Sequence, residues 1–190
     1  QLEAAAAAAL QRCLAILLTL FYYLPGDLPM LTASGAVAAS HRATGFAVFG
    51  RATKDGTMYH GRVLDYLRGL GLEQNAVVIV VEPDEGNAWV NLGYAGFVGS
   101  VTAMNEKHIA IGEMGGRGEG KWDGKPMAQL MREVMEKASS LDEAIEIMRK
   151  GPRTCEYYYV ISDAKAKSAV GIAATPETFE VIRPGEAHPK

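Results

Sequence analysis

At 190 residues, 48% of them apolar, the chain is long enough for one domain with a real core. A formal net charge of −3, with the basic residues scattered, excludes nucleic acid as the main partner, because phosphate binding wants clustered Lys and Arg. Two cysteines, Cys13 and Cys155, are too few for a disulfide scaffold, and four dispersed histidines show no zinc-ligand spacing, so neither a metal nor a cofactor is expected.

The first predicted element is a helix over residues 2–24. Ala4 to Ala9 is an alanine run of high helix propensity, an apolar stretch from Cys13 to Leu24 follows, and Pro25-Gly26 ends it. Its start is not basic, and the small-residue site Ala36-Val37-Ala38 lies far downstream, which argues against a secretory leader. Arg12 interrupts the apolar character, which argues against a membrane span. The stretch reads as the buried helix of a pro-segment, and a cytoplasmic location is favoured over secretion. Residues 31–42 are small and polar and read as a linker or a closely packed segment.

From residue 44 the pattern turns to period two and short apolar runs, predicting strands at 44–50, 57–64, 76–82, 88–93, 97–103 and 109–114. Turn residues separate them: Lys54-Asp55-Gly56, Pro83 to Asn87, Gly93 to Gly96, and Asn105 to His108. Gly115 to Gly120 is a loop but not a phosphate-binding loop, because no Gly-Lys-Ser/Thr follows. Pro126 opens a helix whose Met127, Leu130, Met131, Val134, Met135 and Ala138 form one apolar stripe. Ser140 to Glu143 has the shape of a capping box and starts a second helix over 141–150, which Gly151-Pro152 stops. Strands follow at 155–162, 168–174 and 178–182. Strands, two helices, then strands again predict an α+β fold with helices layered on antiparallel sheet.

One stretch carries more than topology. His41-Arg42-Ala43-Thr44-Gly45-Phe46-Ala47-Val48-Phe49-Gly50 leads through Asp55-Gly56 into Tyr59-His60-Gly61-Arg62-Val63-Leu64-Asp65-Tyr66. Downstream stand Asn91-Leu92-Gly93-Tyr94-Ala95-Gly96 and Met104-Asn105-Glu106-Lys107. Together these resemble the cysteine N-terminal-nucleophile (Ntn) hydrolases. The likeness is to the autoproteolytic acyltransferase/hydrolase family of isopenicillin N acyltransferase and, more distantly, to penicillin V acylase and bile salt hydrolase. It covers about 44–190 and implies the αββα sandwich, with 1–42 as pro-segment and 43–190 as the core. In that family a cysteine stands where this chain has Ala43.

Such an enzyme uses one residue twice. The side chain cuts the peptide bond on its own N-terminal side, and the freed α-amine, with a pKa of about 7.7–8.0, then acts as its base. With Ala43 there is no nucleophile, so the Arg42–Ala43 bond is expected to stay intact. Ala43 reads as a replaced cysteine, against the alternative of a natural pseudoenzyme; Thr44 is a minor candidate nucleophile and a good strand former.

The resemblance implies that Arg62 lies beside the nucleophile and that Asp65 holds its amine. A cation favours thiolate, and a carboxylate orients an ammonium group. It also implies a side-chain oxyanion donor at the position of Gly115, which has no side chain. The backbone N–H of Met114 or Gly115 is the substitute considered, with Asn105 a further oxyanion or substrate candidate. Glu113 and Cys155 read as structural.

The function expected is amide hydrolysis or acyl transfer through a cysteine thioester, on a small-molecule amide or acyl donor. The alternative is a non-catalytic binding or regulatory protein on the same fold. The family's polypeptide continues well beyond the point matching Lys190, so a further polypeptide is expected to complete the fold, with homo-oligomerisation left open.

Overall fold

The structure is a computed structural model that describes residues 43–65, 72–116 and 121–186, and the backbone of 35–40. The helix expected over 2–24 lies outside the described residues.

Two antiparallel sheets are present among them. The first joins β1 (Gly35–Ser40), β2 (Ala43–Gly50) and β3 (Gly56–Leu64), in that order. The second has seven strands: β4 (Ala76–Val81), β5 (Trp89–Tyr94), β6 (Thr102–Asn105), β7 (Ile109–Gly115), β8 (Tyr157–Asp163), β9 (Ser168–Ala174) and β10 (Phe179–Ile182), each paired with the next in chain order. Between β7 and β8 run α1 (Met127–Lys137) and α2 (Leu141–Lys150).

The helices pack on one face of the larger sheet because each carries a single apolar stripe. Leu130, Met131, Val134 and Met135 of α1 and Ile145 and Met148 of α2 are buried in one core with Ile109, Ile111, Tyr159, Ile161 and Ile172 of the sheet. Ser140 caps α2, accepting the amide of Glu143 at 3.3 Å. The sheet's other face meets the smaller sheet in a second core of Ala43, Ala47, Met114, Val160 and Ala169. The strand period of two feeds both cores: β7 turns Ile109 and Ile111 to the helices and Met114 to the smaller sheet.

Three expectations are corrected. Residues 35–40 are a strand rather than a linker, paired with β2 from Gly35↔Val48 to Ser40↔Ala43. Small residues conceal this, because Ala and Ser carry little strand signal. The strand expected at 97–103 begins only at Thr102. Gly96 takes a positive φ of 84°, and Gly99 lies so close to α1 that a Cβ there would meet the Ala128 Cβ at 2.5 Å. Cys155 does not open β8; it sits in a bend at φ 54°, its Sγ and amide both directed at the Lys121 carbonyl. The turn before β7 survives without glycine, His108 adopting φ 67°.

The larger sheet is wider than its cover. Val80, Val90 and Met104 are cross-strand neighbours on the side of the smaller sheet, with Val80 69% and Met104 51% exposed. The outer edge of β3, and this apolar stripe beyond it, are left open among the described residues.

Asn105, weighed as an oxyanion donor, has a different task. Its Nδ2 donates to the carbonyls of Met135 (3.0 Å) and Ala138 (2.8 Å) at the end of α1, while its Oδ1 accepts the amides of Lys107 and Ile109. It faces the helices, across the sheet from Ala43; two of its bonds reach the end of α1 and the other two close the β6–β7 turn. Asn105→Ala is expected to cost about 2–4 kcal/mol, because buried carbonyls and amides lose their partners together. Urea unfolding should show a lower midpoint at unchanged slope.

Candidate active site

The register of β2 and β3 sets the site. Ala43 pairs with Leu64, Gly45 with Arg62 and Ala47 with His60, and all six look toward the larger sheet. Arg62 is therefore the diagonal neighbour of Ala43 on one face, a separation of about 7–8 Å between such positions. Two glycines permit the approach of the sheets. A Cβ on Gly45 would lie 2.7 Å from the Met114 Sδ, and one on Gly112 would lie 2.6 Å from the Arg62 Cγ.

Arg62 crosses the gap between the sheets. Its Nε donates to the Glu113 carbonyl (2.9 Å), its Nη1 to the Thr102 Oγ1 (3.0 Å) and its Nη2 to the Glu113 Oε2 (3.0 Å). The two side chains are only 2% and 7% exposed. Burial pushes the Glu113 carboxyl up and the Arg62 guanidinium down from their ordinary values, and each charge partly offsets the shift of the other. Guanidinium has five N–H donors, and three of them are engaged among the described residues.

The other sequence candidates fall differently. Asp65 lies one residue past β3, exposed and without a partner among the described residues. Arg42 is outside the described residues. Thr44 pairs with Val63 on the opposite face from Ala43. Met114 is fully buried under Gly45, and Gly115 ends β7 opposite Tyr157. Sequence reasoning missed Thr102 and set Glu113 aside as structural. They lie 40 and 51 residues from Arg62 in the chain, so no local spacing signals either contact.

An apolar cavity of about 260 Å³ opens beside this cluster, lined by Leu64, Leu72, Tyr94, Ala95, Gly96, Phe97 and Val101. Leu64 is the cross-strand partner of Ala43, and the Val101 carbonyl accepts the Glu113 amide at 3.1 Å. Among the described residues no group of three or more His, Cys, Asp or Glu side chains gathers to hold a metal ion. No described helix is long and apolar enough to cross a membrane.

Residues 51–188 match the family described as acyl-coenzyme A:6-aminopenicillanic acid acyl-transferase. The chain belongs to that family. A cysteine-to-alanine mutant of conjugated bile acid hydrolase from Clostridium perfringens shares the fold at TM-score 0.54 and 20% identity, over 75% of this chain and 51% of that one. The N-acylethanolamine-hydrolyzing acid amidase ortholog of Caenorhabditis elegans shares it at TM-score 0.55 and 16% identity, over 68% and 60%. An uncharacterized protein of Archaeoglobus fulgidus is 29% identical over 134 residues, 67% of this chain and 22% of that protein. The chain thus spans about a fifth of that curated relative and little more than half of the two solved structures. The acyl-transferase family membership and these folds bear out the Ntn-hydrolase resemblance and its α+β sandwich.

One more buried group shares the face of Arg62. His60 Nδ1 lies 2.7 Å from the Ser162 Oγ, its Nε2 is sealed from water without a partner, and burial lowers its pKa to about 4. The folded state therefore prefers neutral imidazole, whereas the unfolded chain takes the proton near pH 6.5. Stability is full above about 6.5 and falls as pH drops from there to about 4, by up to about 3 kcal/mol. Glu113, raised on folding, acts with the opposite sign above its own unfolded value. Comparison with His60→Gln isolates the histidine: urea unfolding from pH 7 to 4.5 should lose stability more steeply in the unsubstituted chain. Identical slopes would assign the effect to other groups.

Proposed function

We propose that this chain is the precursor form of an autoproteolytic amidohydrolase or acyltransferase acting through a cysteine thioester, with Ala43 standing at the nucleophile position. The observation that carries the reading is the meeting of three features at one point. Ala43 heads β2, Arg62 shares its face, and the apolar cavity begins at its cross-strand partner Leu64. The two solved relatives are named for hydrolysing conjugated bile acid and N-acylethanolamine, and an apolar acyl group suits this cavity.

With cysteine at position 43, Arg62 favours its thiolate. The sulfur attacks the amide carbon, the C–N bond breaks, and the amine leaves with a proton from the α-ammonium group. The acyl thioester then passes to water or to another amine, which gives up its proton to the α-amine. The reading also includes a further stretch of polypeptide that pairs with the open edge of β3 and covers the stripe of Val80, Val90 and Met104.

Ala43→Cys, made in the full-length gene, is expected to restore self-cleavage, with intact mass showing loss of the segment ending at Arg42. Incubation of the cut protein with an N-acyl amide should then add the acyl mass to the fragment that begins at residue 43. An uncut variant would sink this reading in favour of a non-catalytic binding or regulatory protein on the same fold.

A further inference from the structure

β4 leaves one side of its backbone open. It is the last strand of the larger sheet, and among the described residues only β5 pairs with it. Its sequence, Ala-Val-Val-Ile-Val-Val, holds no charge and no proline, and its register with β5 runs without a bulge. Charge, proline and bulges are the devices that keep an edge strand from pairing with another chain. The hydrogen bond just before the strand fixes which groups point outward. The Ala95 amide donates to the Asn75 carbonyl at 2.9 Å, and these two residues continue the register that pairs Ala76 with Tyr94. Hydrogen-bonded and non-hydrogen-bonded pairs alternate along an antiparallel ladder. Val77, Ile79 and Val81 therefore bond inward to β5, while the N–H and C=O groups of Ala76, Val78 and Val80 point away from the sheet. The side chains at the same positions are exposed, Val78 at 51% and Val80 at 69%.

We propose that the outer edge of β4 is an interface between two copies of this chain, the strands pairing antiparallel about a twofold axis at Val78. The inference stands apart from the acyl-amide reading above. The outward groups select the register. Val78 stands opposite Val78 of the second copy, Ala76 opposite its Val80, and Val80 opposite its Ala76. Every pair brings outward amides against outward carbonyls, for ~6 backbone hydrogen bonds, two at each pair. A second copy suits this edge because an antiparallel strand complements itself, and a twofold contact closes at two copies instead of growing into a filament. The flanking charges agree with the register. Glu82 faces Gln74 of the second copy and Glu73 faces its Pro83, so no carboxylate stands directly opposite another. The exposed valines of the two copies then lie side by side, and the larger sheet continues across the axis.

Sedimentation velocity of the full-length protein is expected to show a dimer. Val78→Lys and Val78→Glu each set like charges opposite one another across the axis and should weaken dimerisation about tenfold. Both substitutions fall on a half-exposed side chain, so the fold should keep its circular dichroism spectrum. Mixing the two variants sets Lys against Glu and should restore the dimer as a one-to-one heterodimer, a rescue that a damaged fold would not allow. The same two substitutions at Val80 face Ala76 of the other copy and should gain nothing on mixing. A monomeric full-length protein overturns the proposal; that is the result if another part of the polypeptide pairs with this edge. A dimer that Val78→Lys leaves intact also overturns it, as does a mixture of the Val78 variants that stays monomeric.

Discussion

The buried pair of Arg62 and Glu113 is the constraint on which the arrangement of the two sheets depends. Burying two charges takes back most of their Coulombic gain, so the pair adds little net stability over an apolar contact of the same size. What it adds is position. Arg62 belongs to the smaller sheet and Glu113 to the larger, and their bonds fix both the spacing and the lateral register of the sheets at one point. An apolar contact slides, whereas a guanidinium with three directed bonds does not. Gly45 and Gly112 are the steric counterpart of the same constraint, since a methyl group at the first would meet the Met114 Sδ at 2.7 Å and one at the second the Arg62 Cγ at 2.6 Å, so either would displace a side chain packed between the sheets.

The two cores differ in kind for the same reason. Against the helices the sheet presents large side chains, with Met131, Met135, Met148, Ile161 and Ile172 filling the space between layers. Between the sheets the buried apolar residues are Ala43, Ala47, Val160, Ala169 and Met114, mostly small, with Phe49 and Tyr158 packed against them. Small residues bring backbones close, which places the head of β2 near polar groups of the larger sheet. Methionine suits such a gap because its unbranched thioether adapts to an irregular space.

Much of this is legible in the chain, and what is not has identifiable physical causes. The helices are readable from their stripes and from the Ser140 cap, because both signals are local and repeat every turn. The β2–β3 hairpin is readable from Asp55-Gly56, and that pairing alone carries Arg62 to the end of the sheet where Ala43 stands. β1 is not readable, since Gly-Ala-Val-Ala-Ala-Ser has too little contrast to show a period. The start of β6 is misplaced by pattern because Gly99 is set by contact with α1, a tertiary demand that overrides local preference. Asn105 reads as a site residue on a motif whose geometry serves the end of α1 instead. Thr102 escapes because a partner on another sheet leaves no trace in spacing.

The ladder between β1 and β2 bears on what a cut at residue 43 would achieve. Six cross-strand pairs, from Gly35↔Val48 to Ser40↔Ala43, run right up to the junction, and only His41 and Arg42 intervene. Hydrolysis there removes one covalent link and none of these pairs. The severed peptide would keep its pairing with β2 after the cut. Scission and release of the strand would then be separate kinetic stages, the second governed by the strength of the ladder rather than by any chemistry at residue 43.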